Sequence, residues 1–168
     1  MVGSEEFRQA MRRWPTGVAV VTAVAADGRP EGMTVNSLTS ITLDPPTVLV
    51  SLMTTSRTLA AIQETARFGV SLLTTATGDL GWDFARSREE RSFDGFVEMD
   101  GIPVVEAGCV TMVCDVDKFV PVADHQLVIG RVNFLGLDQR QVDPLVFFEG
   151  ALHDFAETAT PVDLFDGW

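Results

Sequence analysis

The chain has no tyrosine and only two cysteines among its 168 residues. Cys109 and Cys114 are five positions apart, a spacing that matches neither a zinc site nor a CxxC redox motif. Because an odd spacing places two side chains on opposite faces of a strand, these two cysteines cannot pair with each other in a disulfide. We therefore expect two buried, reduced thiols, and we predict no metal site.

Long apolar runs and an excess of basic residues are also missing. The longest apolar runs, such as residues 18–21 and 48–50, are far too short to cross a bilayer. The N-terminus lacks the basic-then-apolar order of a signal peptide, so we expect a cytoplasmic protein with no membrane partner. The 12 basic and 24 acidic residues give a net charge of −12. Nucleic acid is not a predicted partner, because binding it requires a basic surface.

Familiar catalytic motifs are absent from the sequence. There is no GxGxxG, no P-loop, no HExxH and no GxSxG motif. Any histidine chemistry would have to use His125 or His153, the only two histidines. If the chain is an enzyme, we expect an organic cofactor to supply the difficult chemical step.

The order of apolar and turn residues predicts a mainly β fold with short helices. We expect one domain over residues 1–168, with a peripheral helix at 4–13 that begins at an N-cap Ser4, and a peripheral tail at 151–168. Segment 47–52 is so apolar that we expect both of its faces to be covered, whereas segment 86–101 is expected to be irregular. Too few long helices alternate with the strands for a Rossmann-type sheet, so we predict a closed or nearly closed antiparallel barrel. The predicted strands are 17–24, 33–36, 47–52, 68–73, 110–117, 127–135 and 145–148, and the further helices 57–63 and 77–85.

Uncharged polar side chains are concentrated in one region. Between Gly32 and Ala66 only Asp44, Arg57 and Glu64 are ionisable, although hydroxyl and amide side chains are frequent. Small donors beside apolar residues suit a flat ring with polar edges and a phosphate tail. That is the shape of a flavin, and we predict a flavin site here.

The segment 54–58, TTSRT, is the best candidate for holding a phosphate. Its hydroxyls and its guanidinium stand where a helix is predicted to begin, and a helix N-terminus offers free N–H groups and a positive dipole end. The alternative is that Ser56 only caps the helix and that Arg57 is a solvated residue of the first turn.

Three further groups of residues have two interpretations each. Thr34 and Asn36 would offer partners to the polar edge of a ring, or would satisfy their own turn. His125, at the mouth of a strand, would orient a carboxamide or pass a proton, or would lie in a surface loop. The arginines Arg86, Arg88 and Arg91 stand beside acidic residues, and we expect them in surface ion pairs rather than on a ligand.

Together these segments resemble the flavin reductase-like family, the small reductase components of two-component flavin monooxygenases. The resemblance extends from about Phe7 to Gly150. It rests on ordered motifs rather than on any single one: WPTGVAVVT at 14–22, GMTVNSLTS at 32–40, LDPP at 43–46, SRT at 56–58, FGVS at 68–71, FA at 84–85, and DH at 124–125 leading to IG at 129–130.

The resemblance implies a split β-barrel of Greek-key type that binds FMN or FAD, in a homodimer with the flavin near the subunit interface. It implies hydride transfer from NADH or NADPH to the flavin, and delivery of reduced flavin to a partner monooxygenase. It places His125 on the nicotinamide side as the catalytic residue. The implied flavin contacts are Thr34, Asn36, Ser37, Leu38 and Thr39 along the ring and ribityl chain, Ser51 and Leu52 beneath the flavin, Ser56, Arg57 and Thr58 at its phosphate, and Phe93 as a cover.

Two other functions are compatible with the same residues. One is a flavoprotein that retains its flavin and acts on another small molecule. The other is a non-catalytic flavin-binding domain that lacks access for a nicotinamide nucleotide.

Overall fold

Antiparallel β-sheet forms most of the regular structure. The computed structural model describes residues 1–86, 91–139 and 143–154, and within these it has three helices, α1 (Ser4–Met11), α2 (Arg57–Thr65) and α3 (Gly78–Ala85), the last preceded by a 3₁₀ turn. The strands are β1 (Thr16–Gly17), β2 (Ala19–Val24), β3 (Pro30–Val35), β4 (Thr39–Leu43), β5 (Pro46–Met53), β6 (Arg67–Leu72), β7 (Phe96–Met99), β8 (Ile102–Val105), β9 (Val110–Val122), β10 (His125–Leu137), β11 (Leu145–Phe148) and β12 (Ala151–Asp154).

Seven strands form the main sheet, in the order β3-β2-β6-β9-β10-β5-β4, and all of its paired strands run antiparallel. The predicted mainly β fold with short helices is confirmed, and the sheet is not of the Rossmann type. A fully closed barrel would require the two end strands, β3 and β4, to pair with each other, and no such pairing is found among the described strands.

A serine side chain bridges the gap between β3 and β5. The Ser37 hydroxyl accepts a hydrogen bond from the N–H of Ser51 and donates one to its carbonyl oxygen, both at 3.0 Å. The segment after β3 therefore contacts β5 through one side chain rather than through a strand ladder.

One hydrophobic core contains side chains from strands that are far apart in the strand order. Val35 of β3 and Val50 of β5 belong to the same buried cluster, together with Leu59 and Ile62 of α2. Because β3 and β5 are separated by four strands in the order and still share this core, the sheet must curl around it. Helix α2 packs its apolar face into this core.

Strand β5 is covered on one face only, so the prediction for segment 47–52 was wrong in this respect. Val48, Val50 and Leu52 are buried in the core, whereas the alternate residues are partly exposed and Met53 is exposed. The run of apolar residues at 48–50 is continuous only because Leu49, on the outer face together with Ser51, is also apolar. Composition cannot distinguish such a strand from one that is buried on both sides.

The segment predicted to be irregular contains the strand β7, which pairs with β8 around Asp100 and Gly101. Both turn residues have positive φ, 49° and 77°, which is the backbone that an Asp-Gly hairpin requires. The sequence therefore carried a hairpin signal that the short strands obscured. Ile102 and Val104 of the hairpin pack with Val113 of β9 in a small buried cluster.

The two ends of the chain differ slightly from the prediction. Helix α1 is capped by Gly3 rather than by Ser4 and ends at Met11. Residues 151–154 of the expected tail form β12, which pairs with β11, while residues 155–168 lie outside the described residues. No helix in the described ranges is long and apolar enough to span a membrane.

Both cysteines are free thiols. Cys114 is buried in the core, and loss of solvent raises its pKa to about 12. Cys109 is only partly buried, and desolvation raises its pKa as well. The expectation of reduced thiols is confirmed, although Cys109 lies at the edge of the core rather than inside it.

The core leaves no room for a side chain at Gly130. A Cβ there would lie 2.5 Å from the ring of the fully buried Phe68 and 3.1 Å from Cβ of Cys114. We expect Gly130→Ala to lower the free energy of unfolding by about 1–3 kcal/mol, the usual cost of overpacking. Urea unfolding would measure this. Gly17→Ala is the matched control, because a Cβ at this strand glycine meets no atom within 4 Å, and an equal effect of the two substitutions would contradict the packing argument.

Candidate functional site

A cavity of about 390 Å³ opens where α2 begins, beside β3 and the end of α3. Its lining combines residues that are distant in the sequence, since β3, the loop after β5 and α3 all reach it. Of the predicted site residues, it brings together Thr34, Ser56, Arg57 and Thr58. The predicted phosphate end and the start of the predicted ring segment therefore share one cavity.

Ser56 is the N-cap of α2, as predicted. Its hydroxyl accepts a hydrogen bond from the N–H of Leu59 at 3.3 Å and donates one to Sδ of Met33 at 3.1 Å. The cap is thus anchored to β3, which fixes the direction of the first turn of α2. The structural role of Ser56 does not exclude ligand binding, because the same turn points its N-terminal end at the cavity.

Arg57 forms an ion pair with a buried carboxylate. Its Nε lies 3.4 Å from Oε2 of Glu31, and Nε of Arg29 lies 3.5 Å from Oε1 of the same residue. The side chain of Arg57 is 50% exposed, whereas that of Glu31 is only 8% exposed. Arg57 is therefore held at the rim of the cavity without being removed from solvent.

Arg91 also lines this cavity, which the expectation of a surface ion pair missed. Its guanidinium donates to the carbonyl oxygens of Gly32, Phe84 (2.9 Å) and Arg86 (2.8 Å), and it lies 5.1 Å from the centre of the Phe84 ring. Arg91 thus connects β3 to the end of α3. An arginine that binds backbone carbonyls leaves no local sequence signal, and Arg88, which we had grouped with it, lies outside the described residues.

The predicted ring segment, residues 34–39, is divided between several environments. The Thr34 hydroxyl donates to the carbonyl of Gly81 at 2.7 Å, and Thr34 lines both the main cavity and a mostly apolar one of about 190 Å³. Asn36 lines this smaller cavity as well. Ser37 bonds to β5, Leu38 packs against the core, and Thr39 is exposed on β4.

Two further predicted flavin contacts have restricted side chains. Leu52 is fully buried in the core, so only its backbone is available to a ligand, whereas the neighbouring Ser51 is partly exposed. Phe93 packs edge-on against Phe84 and Phe96, with ring centres 5.3 and 5.0 Å apart. Phe84 lines the main cavity, so Phe93 contacts one of the side chains of the cavity wall.

His125 begins β10, directly opposite Met53, the last residue of β5 and part of the cavity wall. The Thr54 N–H donates to the carbonyl of Asp124 at 2.9 Å, so the turn before His125 is tied to the loop that leads into α2. His125 is 41% exposed, and its Nδ1 lies 2.8 Å from Oδ1 of Asp124. This hydrogen bond lowers the pKa of Asp124. The carboxylate therefore stays ionised to lower pH and remains a hydrogen-bond acceptor for the imidazole ring of His125.

The second histidine lies elsewhere. His153 is on β12, its Nε2 is 3.1 Å from the carbonyl oxygen of Phe148, and its ring packs edge-on against the Phe148 ring. It is part of the small β1-β11-β12 sheet.

Comparisons with known proteins agree on one kind of protein. The family model for the flavin reductase-like domain matches residues 11–156. The chain is 38% identical over 154 residues to the NADH-dependent flavin reductase StyB of Pseudomonas fluorescens, covering 90% of both chains. It is 40% identical over 144 residues to a flavin reductase (NADPH) of Lentzea aerocolonigenes, covering 79% of each. The solved styrene monooxygenase flavin reductase of Pseudomonas putida S12 superimposes with a TM-score of 0.83 at 37% identity, covering 91% of this chain and 99% of the other.

Proposed function

The chain belongs to the flavin reductase-like domain family, and from this premise we propose that it is an NAD(P)H-dependent flavin reductase. It takes a hydride from NADH or NADPH, transfers it to FMN or FAD, and supplies the reduced flavin to a flavin-dependent monooxygenase. Relatives named as NADH-dependent and as NADPH-dependent both support this assignment.

The observation that carries the proposal is the shared cavity of Thr34, Ser56, Arg57 and Thr58. A guanidinium and the positive end of α2 meet at one side of it, as the phosphate of a flavin requires. Thr34 leads from there to the smaller, mostly apolar cavity, which suits a ring. The residues present therefore fit the predicted cofactor.

The flavin, when bound, supplies the redox chemistry by accepting a hydride at its ring. The chain's own contribution is binding and orientation. Arg57 and the first turn of α2 hold the phosphate, with Ser56 and Thr58 beside them. The proposed contacts to the ring and ribityl chain are the segment from Thr34 to Thr39, together with Ser51 and the backbone of Leu52.

His125 is the proposed residue on the nicotinamide side. The Asp124 carboxylate can only accept a hydrogen bond, so it holds the proton of the neutral imidazole on Nδ1 and leaves Nε2 as an acceptor. Such an acceptor can bind the N–H groups of a carboxamide and so orient the nicotinamide ring. Hydride transfer depends on that alignment and requires no proton from the protein.

The proposal includes the assembly and location of the protein. We propose a homodimer in which the flavin lies near the subunit interface, with Phe93 as a cover over the ring. Edge strand β4 exposes Ile41 (49%) and Leu43 (57%), and an exposed edge strand offers unpaired backbone groups for pairing with another chain. We further propose a single domain for the whole chain, in the cytoplasm, where reduced nicotinamide nucleotides are available.

Steady-state oxidation of NADH and of NADPH, with FMN, FAD and riboflavin each added singly, tests the function. We expect oxidation that depends on added flavin, by a protein that loses its flavin during gel filtration. Flavin that remains bound through gel filtration would instead favour a flavoprotein acting on another small molecule. Flavin binding without any nucleotide oxidation would favour the non-catalytic domain.

We expect Arg57→Ala to raise the Kd for FMN by about 10- to 100-fold, because one charge-assisted contact to the phosphate is lost. Titration of flavin fluorescence would measure it. Arg131→Ala is the matched control, since Arg131 is similarly exposed (55%) and pairs with Asp117 at 3.3 Å, away from the cavity. An unchanged Kd in Arg57→Ala would refute the phosphate assignment.

We expect His125→Ala to lower turnover with NAD(P)H by about 10- to 100-fold through loss of alignment, while the Kd for flavin stays near that of the wild type. Stopped-flow reduction and flavin titration would separate the two quantities. His153→Ala, which changes the histidine of the small β1-β11-β12 sheet, should leave both unchanged. The assignment is wrong if His125→Ala weakens flavin binding and leaves the reduction rate intact.

A further inference from the structure

A buried carboxylate stands at the cationic end of the cavity, and the proposed reaction does not use it. Glu31, the second residue of β3, is buried and lines the cavity together with Ser56, Arg57 and Thr58. Buried carboxylates are rare unless they are paired, and one placed beside an anion site opposes the anion. Its position therefore calls for an explanation in terms of ligand binding.

The contacts of Glu31 make it a competitor for the phosphate. One of its oxygens lies 3.4 Å from Nε of Arg57, the guanidinium proposed to hold the flavin phosphate. The other lies 3.5 Å from Nε of Arg29. Part of the positive charge of Arg57 is thus already compensated by a carboxylate of the protein itself.

We propose that Glu31 sets the affinity for the phosphate end of the flavin, and keeps it low enough for reduced flavin to leave. This rests on the proposed function, in which Arg57 binds the phosphate and reduced flavin is a product. A reductase that supplies a separate enzyme must release what it has reduced. Glu31 weakens the phosphate contact specifically, and the contacts to the ring are left as they are.

The competing explanation is that Glu31 only positions Arg57. In that case loss of the carboxylate frees the arginine to turn away, and binding of FMN becomes weaker. Under our proposal the same loss removes a negative charge that opposes the phosphate, so binding becomes tighter. The two roles therefore predict changes of opposite sign in one measurement.

Glu31→Gln removes the charge and preserves the shape of the side chain. We expect it to lower the Kd for FMN by about tenfold, as the loss of a nearby like charge would. Riboflavin, which has the ring but no phosphate, should bind with an unchanged Kd. Fluorescence titration of both flavins gives the ratio, and stopped-flow displacement should show slower release of FMN. An FMN Kd that is unchanged or raised overturns the proposal, as does equal tightening of riboflavin.

Arg57→Ala, measured in the same way, distinguishes failure of this inference from failure of the proposed function. If Arg57→Ala weakens FMN but not riboflavin while Glu31→Gln fails to tighten FMN, the phosphate assignment stands and the role of Glu31 is wrong. If Arg57→Ala leaves the ratio of the two Kd values unchanged, the phosphate site itself is wrong.

A second variant keeps the test decisive if Glu31→Gln does not fold. Arg29 is 67% exposed, so Arg29→Gln removes a surface cation without disturbing the core. In this variant one arginine fewer compensates the negative charge of Glu31. We expect the Kd for FMN to rise by about threefold, an effect typical of an exposed charge, and the Kd for riboflavin to stay unchanged. An unchanged or lower Kd for FMN would count against the competition.

Discussion

The antiparallel register between β5 and β10 is the constraint on which the site depends. It places His125 opposite Met53, and the hydrogen bond from the Thr54 N–H to the carbonyl of Asp124 holds that edge together. The chain leaves β5 at the same edge and enters α2 after three intervening residues. A shift of one residue in this pairing would turn Val50 and Leu52 out of the core. The hydrophobic core therefore determines where the helix N-terminus and the histidine lie.

The acidic character of the chain makes local charge decisive. With a net charge of −12, no general positive field attracts an anionic ligand, and attraction must come from a few groups that lie close to it. Arg57, the first turn of α2 and the nearby Arg91 provide it on one wall of the cavity. The buried carboxylate of Glu31 partly compensates the charge of Arg57. Under the proposed function, the balance between these groups, rather than the overall charge, would set the affinity for the phosphate end of the flavin.

Local sequence signals predicted much of this molecule, because several of its features depend on neighbouring residues. Ser56 as the N-cap of α2 follows from its hydroxyl and the apolar residues after it, and the structure confirms it. The uncharged polar segment from Thr34 onward and the SRT motif indicated a phosphorylated ring compound. By contrast, the β7–β8 hairpin was missed although Asp100-Gly101 marks its turn, since strands of four residues are too short to show a clear period.

The linear chain by itself determined the element types, the helix cap, the flavin-like polarity of one segment and the resemblance to a family. Those properties are encoded in residues that are adjacent or in regular spacing. Only the tertiary structure decided that Glu31 faces Arg57, that Arg91 binds the carbonyl of Gly32, and that the side chain of Leu52 belongs to the core. These facts depend on strand register and on packing between residues far apart in the chain. The sequence around a single carboxylate or guanidinium does not indicate which distant group it will contact.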